Sequence, residues 1–184
     1  MVSPDGRFVY MTGESGISFL TVAVDAATGQ SVWSALYNTS GSDFSYRLAL
    51  TPDGARLVVT GQSSAARTVL DVITVCYDAI TGAELWAARH DGPTHGYDAG
   101  TDVTTSPDGQ QAYVTGVTGG GRTHDDLVAI AYDIFTGAER WVDKHDGSGT
   151  LSDWGASMAS SLDGSTLFVS GAEGNTTEDF LILA

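Results

Sequence analysis

Lysine is almost missing from this chain. Lys144 is the single copy, beside seven arginines and against 23 acidic residues, for a formal net charge of -15. Such a surface repels phosphate backbones and anionic lipid headgroups, so nucleic acid is not an expected partner, while cationic ligands and basic protein patches are. Cysteine is nearly absent too. With Cys76 alone, an intrachain disulfide and a cysteine-based zinc site are both ruled out. No stretch reaches the ~18 consecutive apolar residues that a membrane-spanning helix needs. The opening Met1-Val2-Ser3-Pro4-Asp5-Gly6 has no basic segment followed by an apolar one, so it does not read as a signal peptide. Helical periodicity is lacking along the whole chain. Proline is scarce (4) and glycine frequent (23), a balance suited to many tight turns between short strands.

What is present is a repeat. Ser3-Pro4-Asp5-Gly6 returns as Thr51-Pro52-Asp53-Gly54, Ser106-Pro107-Asp108-Gly109 and Ser161-Leu162-Asp163-Gly164, at steps of 48, 55 and 55 residues. Each copy is followed by an apolar alternation closing on Thr-Gly or Ser-Gly, at Gly13, Gly61, Gly116 and Gly171. A longer apolar run comes next, then an Asp-x-x-Thr-Gly turn, then a tryptophan. The reading is four short strands per unit. Strand A ends at the Pro-Asp-Gly turn, strand B at the Thr-Gly, strand C at the Asp, and strand D begins around the Trp. Four antiparallel strands repeating near ~50 residues form a propeller blade. The fold expected is therefore all-β, a β-propeller segment spanning 1–184, with blades at about 1–42, 43–97, 98–152 and 153–184. The first and last blades are incomplete.

The turn-to-tryptophan stretches align without gaps. Asp25-Ala26-Ala27-Thr28-Gly29 leads to Trp33, Asp78-Ala79-Ile80-Thr81-Gly82 to Trp86, and Asp133-Ile134-Phe135-Thr136-Gly137 to Trp141. This resembles the tryptophan-docking motif, A-x-D-x-x-T-G-x-x-x-W, of the quinoprotein-like (PQQ-like) β-propeller repeats of exported bacterial proteins. The resemblance implies that Trp33, Trp86 and Trp141 join neighbouring blades, with Asp25, Asp78, Asp133, Gly29, Gly82 and Gly137 as turn residues. It also implies a parent ring of about seven or eight blades in an extracytoplasmic location. Trp154 differs, because it starts a strand A near a channel mouth.

Candidate chemistry is sparse. Asp43, Asp98 and Asp153 each lie nine residues before the proline or its equivalent. In a propeller such positions converge near one channel mouth, where carboxylates could hold Ca²⁺. The competing and simpler reading is that they cap the turns entering strand A. Active quinoproteins carry a vicinal cysteine pair, and this chain has one cysteine. The function expected is a non-enzymatic binding or scaffold module of a larger exported protein, with no catalytic residues and no cofactor, holding a protein or small ligand at the channel mouth. Open blade edges would favour self-association. The alternative is a fragment of a PQQ-dependent dehydrogenase, or of another propeller enzyme, whose catalytic residues lie outside this stretch.

Overall fold

The computed structural model describes residues 1–64, 69–119, 124–147 and 152–174, and the backbone of 178–183. Its elements are all strands, in four antiparallel sheets. The first sheet holds β1 (Phe8–Ser15), β2 (Ser18–Asp25) and β3 (Ser31–Tyr37). The second holds β4 (Asp43–Leu50), β5 (Arg56–Ser63), β6 (Asp71–Asp78) and β7 (Glu84–His90). The third holds β8 (Ala99–Thr105), β9 (Gln111–Gly119), β10 (Asp125–Asp133) and β11 (Glu139–His145). The fourth holds β12 (Trp154–Ser160), β13 (Leu167–Gly174) and β14 (Glu178–Leu183). Strand order within each sheet follows chain order, as in a meander, and β4, β8 and β12 pack side by side on the inner edge. No helix among the described residues is long and apolar enough to cross a membrane.

Turn chemistry fixes where each strand stops. In the second sheet, Asp53 Oδ1 accepts the Thr51 hydroxyl at 2.6 Å and the Ala55 N–H at 2.9 Å, while Gly54 takes φ 70°. At the outer turn, Asp78 Oδ1 accepts the Thr81 N–H and hydroxyl, both at 2.8 Å, and Gly82 takes φ 74°. A side-chain oxygen capping N–H groups two and three residues on is what short polar residues do well, and positive φ is left to glycine.

One boundary differs from the sequence reading. The Thr-Gly pairs do not end strand B: β5 runs on past Gly61 to Ser63, and β9 past Gly116 to Gly119. Glycine is there because strand A bulges opposite it, between Ser45 and Arg47, Gly100 and Asp102, and Gly155 and Ser157. The bulge presses a carbonyl onto the glycine, so that a Cβ on Gly61 would lie 1.9 Å from the Phe44 oxygen.

The apolar cores lie between sheets. Tyr10, Phe19 and Ala23 of the first sheet meet Leu57, Val59, Ile73, Val75 and Tyr77 of the second. Val58, Val72, Cys76 and Trp86 of the second meet Val114, Val128, Ile130 and Tyr132 of the third. Tyr113, Leu127 and Ala131 meet Met158 and Val169. Period-two alternation sends Leu57 and Val59 one way and Val58 the other, so a central sheet is apolar on both faces.

The turn carboxylates couple the fold to acid. Hydrogen bonds from Arg140 and then Thr136 lower the Asp133 carboxyl to about 2. Those from Ser161 and Ser165 lower Asp163 to about 2. A depressed folded-state value means stability that is present above the ordinary carboxyl value near about 4 and is lost as pH falls through about 2. Melting temperature is therefore expected to fall between those limits, with the fall shallower in Asp133→Asn. An unchanged acid slope in that variant would show that the turn carboxylate does not report on folding.

Candidate functional site

The A–B and C–D turns share one end of the assembly, so strand A begins at the other end, where Asp43, Asp98 and Asp153 sit. All three are buried, at 0%, 0% and 3% exposure. Each donates its backbone N–H across to the preceding unit, to Ile17, Leu70 and Asp125 oxygens at 2.7, 2.8 and 2.7 Å. Each carboxylate then gathers loop donors. Asp43 accepts the Thr39 N–H at 2.7 Å. Asp98 accepts the N–H groups of Gly92 and Gly119, both at 3.1 Å, and the Thr118 hydroxyl. Asp153 accepts the N–H groups of Gly147 and Gly174, both at 2.7 Å.

These three aspartates do not form one group with each other. Asp98 instead joins Asp71 and Asp91, and Asp153 joins Asp126 and Asp146, with the carboxylate oxygens of each trio within 4.8 Å of one another. Asp71 and Asp126 start strand C, and the partnership was not read from the sequence. A signal was there: Asp91 precedes Asp98 and Asp146 precedes Asp153 by the same seven residues. The first unit places Ser18 and Asn38 at the corresponding positions, leaving Asp43 without carboxylate neighbours from them.

Each trio comes with an internal cation. Arg89 pairs with Asp71, and Lys144, at the repeat-equivalent position, pairs with Asp126. Burial raises the Asp71 carboxyl above its ordinary value, with Arg89 opposing the rise. Burial likewise raises Asp125, with Asp126 adding to it. A divalent ion could be held by three such oxygens, but loop N–H groups already engage Asp98 and Asp153, and the internal cations engage Asp71 and Asp126. What the arrangement does on these contacts is fix the loops around the mouth.

The tryptophans lie toward the other end. Trp33 Nε1 donates to the Ala79 oxygen at 3.0 Å and Trp86 Nε1 to the Ile134 oxygen at 2.9 Å, each in the following sheet. Gly82 and Gly137 lie beneath the two rings, where a Cβ would come within 2.6 and 2.7 Å of indole carbons. Trp86 is 8% exposed, whereas Trp141 is 39% and Trp154 37% exposed. Cys76 faces Trp86 across β6 and β7, and burial pushes its thiol up to about 12. Such a thiol is a packing group with no thiolate at neutral pH.

The family model described as outer membrane protein assembly factor BamB matches residues 18–178. No curated protein matches the chain. Among solved structures, Kuenenia stuttgartiensis hydrazine synthase aligns at 20% identity with a TM-score of 0.61, over 98% of this chain and 44% of that one. BamB from Moraxella catarrhalis aligns at 18% identity and TM-score 0.51, over 88% and 41%. Chaetomium thermophilum Sqt1, bound to the N-terminus of the ribosomal protein L10, aligns at 18% and 0.63, over 92% and 39%. The chain thus spans less than half the length of each of these.

Proposed function

Because the chain belongs to the outer membrane protein assembly factor BamB family of PQQ-like propeller repeats, we propose that it is a non-enzymatic binding module of a larger, extracytoplasmic bacterial protein. One observation carries this reading. The buried carboxylates at the channel mouth, the groups best placed for chemistry, are engaged by loop N–H groups and by Arg89 and Lys144. They tie the loops of an acidic rim together. A rim of this kind on a chain of net charge -15 suits a basic polypeptide segment, through steering and complementarity. Sqt1 is a similar fold that holds a polypeptide N-terminus. The lone cysteine, sealed in the core opposite Trp86, does not supply the vicinal cysteine pair that the resemblance associates with active quinoproteins.

The test has two arms. A dye-linked assay with added PQQ and Ca²⁺ is expected to show no alcohol or sugar oxidation. Titration with a fluorescent Lys/Arg-rich peptide is expected to show binding that weakens steeply with salt, and no binding of an Asp/Glu-rich peptide. Turnover in the first arm, or equal binding of both peptides in the second, overturns the proposal.

A further inference from the structure

Two tyrosines at the mouth stand in the open. Tyr46 is the extra residue of the bulge in β4: Ser45 lies opposite Gly61 and Arg47 opposite Thr60, so Tyr46 has no partner in β5. A bulge re-aims the side chain of its extra residue, and Tyr46 is 37% exposed. Tyr97, just before β8, is 41% exposed, and its hydroxyl donates to Gln62 Oε1 of β5 at 2.8 Å. Gln62 is buried and lies opposite Phe44, two residues from Tyr46. Tyr97 is thus pinned across to the second sheet at the level of Tyr46. The second and third sheets each pack between two others, so this exposure belongs to the face and not to an outer sheet. Nor does the repeat require either ring. Thr101 and Ala156 take the place of Tyr46 in later units, and Ser42 and Ser152 that of Tyr97.

Two carboxylates flank the pair with no cation of their own. On β1 the Thr12 hydroxyl donates to that of Ser45 at 2.8 Å, beside Tyr46. Glu14, two residues on, shares that face of the strand and lies nearer the mouth. Asp125, half-buried, opens β10. Neither carboxylate has a hydrogen bond or ion pair among the described residues. Burial raises the Tyr46 hydroxyl, with Tyr97 and then Glu14 adding to the rise; burial raises Tyr97, with Asp125 adding to it. The four groups therefore lie within one another's field. Arg47 does not neutralise them, since its guanidinium turns back to the Tyr46 oxygen at 3.0 Å. The aspartate trios differ in holding Arg89 and Lys144.

We propose that Tyr46 and Tyr97, with Glu14 and Asp125, form a clamp for an arginine side chain of a basic polypeptide segment. The clamp rests on the reading of this chain as a binder of basic segments, and it places the anchor of that segment on the tyrosines and not on the trios. A cation over the face of a tyrosine is attracted by the ring quadrupole. Arginine suits the set better than lysine, because its planar guanidinium stacks on a ring while its fork of N–H donors meets a carboxylate.

The test titrates the full chain with two fluorescent peptides of equal length and charge, one with arginine and one with lysine as its only cation. The arginine peptide is expected to bind at least about fivefold more tightly, the scale of one cation–π contact. Tyr46→Leu and Tyr97→Leu are each expected to erase that preference with the fold kept, read by circular dichroism, since neither ring is buried. Glu14→Gln, at an exposed site, is expected to weaken both peptides about threefold at low salt, the effect of one rim charge. Equal binding of the two peptides by the unaltered chain overturns the clamp. So does an arginine preference that survives both tyrosine variants, or a Glu14→Gln chain that binds as tightly as before. In those outcomes basic segments still bind, and the proposed function stands without the clamp. Failure of both peptides to bind overturns that function and the clamp with it.

Discussion

Trp86→Ala is expected to lower the unfolding free energy by about 3–5 kcal/mol, the range for a large buried aromatic cut back to alanine. The indole is 8% exposed, packs 6.1 Å from the Tyr132 ring and donates to the Ile134 oxygen. Its removal leaves a cavity in the core between the second and third sheets and orphans the carbonyl. The informative comparison is Trp141→Ala, a substitution in the same motif at the same register. Because Trp141 is 39% exposed, its loss is expected to cost about 1 kcal/mol, the centre of the range for point substitutions in general. Urea denaturation of both variants measures the difference. Equal costs would show that sequence position, and not the contact with the following sheet, sets the contribution of these residues.

Gly116→Ala is the second large effect. A Cβ there would lie 1.9 Å from the Ala99 oxygen, and this obstacle is backbone, held by the bulge in β8. Relief requires the strands to separate, at about 3 kcal/mol, the upper part of the usual overpacking range. Gly13 is the repeat-equivalent residue in β1, where a Cβ would meet nothing within 4 Å. Gly13→Ala is expected to be neutral or to stabilise by roughly 0.5 kcal/mol, because alanine narrows the unfolded ensemble. Thermal melts of the two variants should move in opposite directions or differ by many degrees. A mild Gly116→Ala would mean that the bulge is absent in solution.

The two glycines show how far the repeat could be read. Periodicity and turn residues made the strand order and the sheet content legible, since Pro-Asp-Gly and Asp-x-x-Thr-Gly each specify a turn by local chemistry alone. The Thr-Gly pair looked like a strand end because glycine usually punctuates. Its actual role depends on a bulge in another strand, which no local pattern announces. The mouth was half legible for the same reason. Asp43, Asp98 and Asp153 stood out by spacing from the proline, but the grouping of Asp98 with Asp71 and Asp91 crosses from one unit to the next. Contacts between units are a property of stacking, and the repeat displays only what recurs within each unit. The cationic partners were harder still. Arg89 and Lys144 are different residues at one position, and their counterpart in the first unit is Leu36.

Alternate side chains of one strand serve different cores: Leu57 and Val59 face the first sheet, and Val58 faces the third. The second and third sheets are thus each the shared wall of two compartments, and among the described residues no core cluster spans more than two adjoining sheets. Free energy in such a molecule adds as in a one-dimensional lattice, where units couple only to nearest neighbours. A change at Val58 is felt by the third sheet directly, and by the fourth only if the third gives way. The second and third sheets, with a neighbour on either side, are the last to open, and the flanking sheets open locally without dissolving them. Binding that clamps an outer sheet therefore raises the threshold for every unit behind it, one interface at a time.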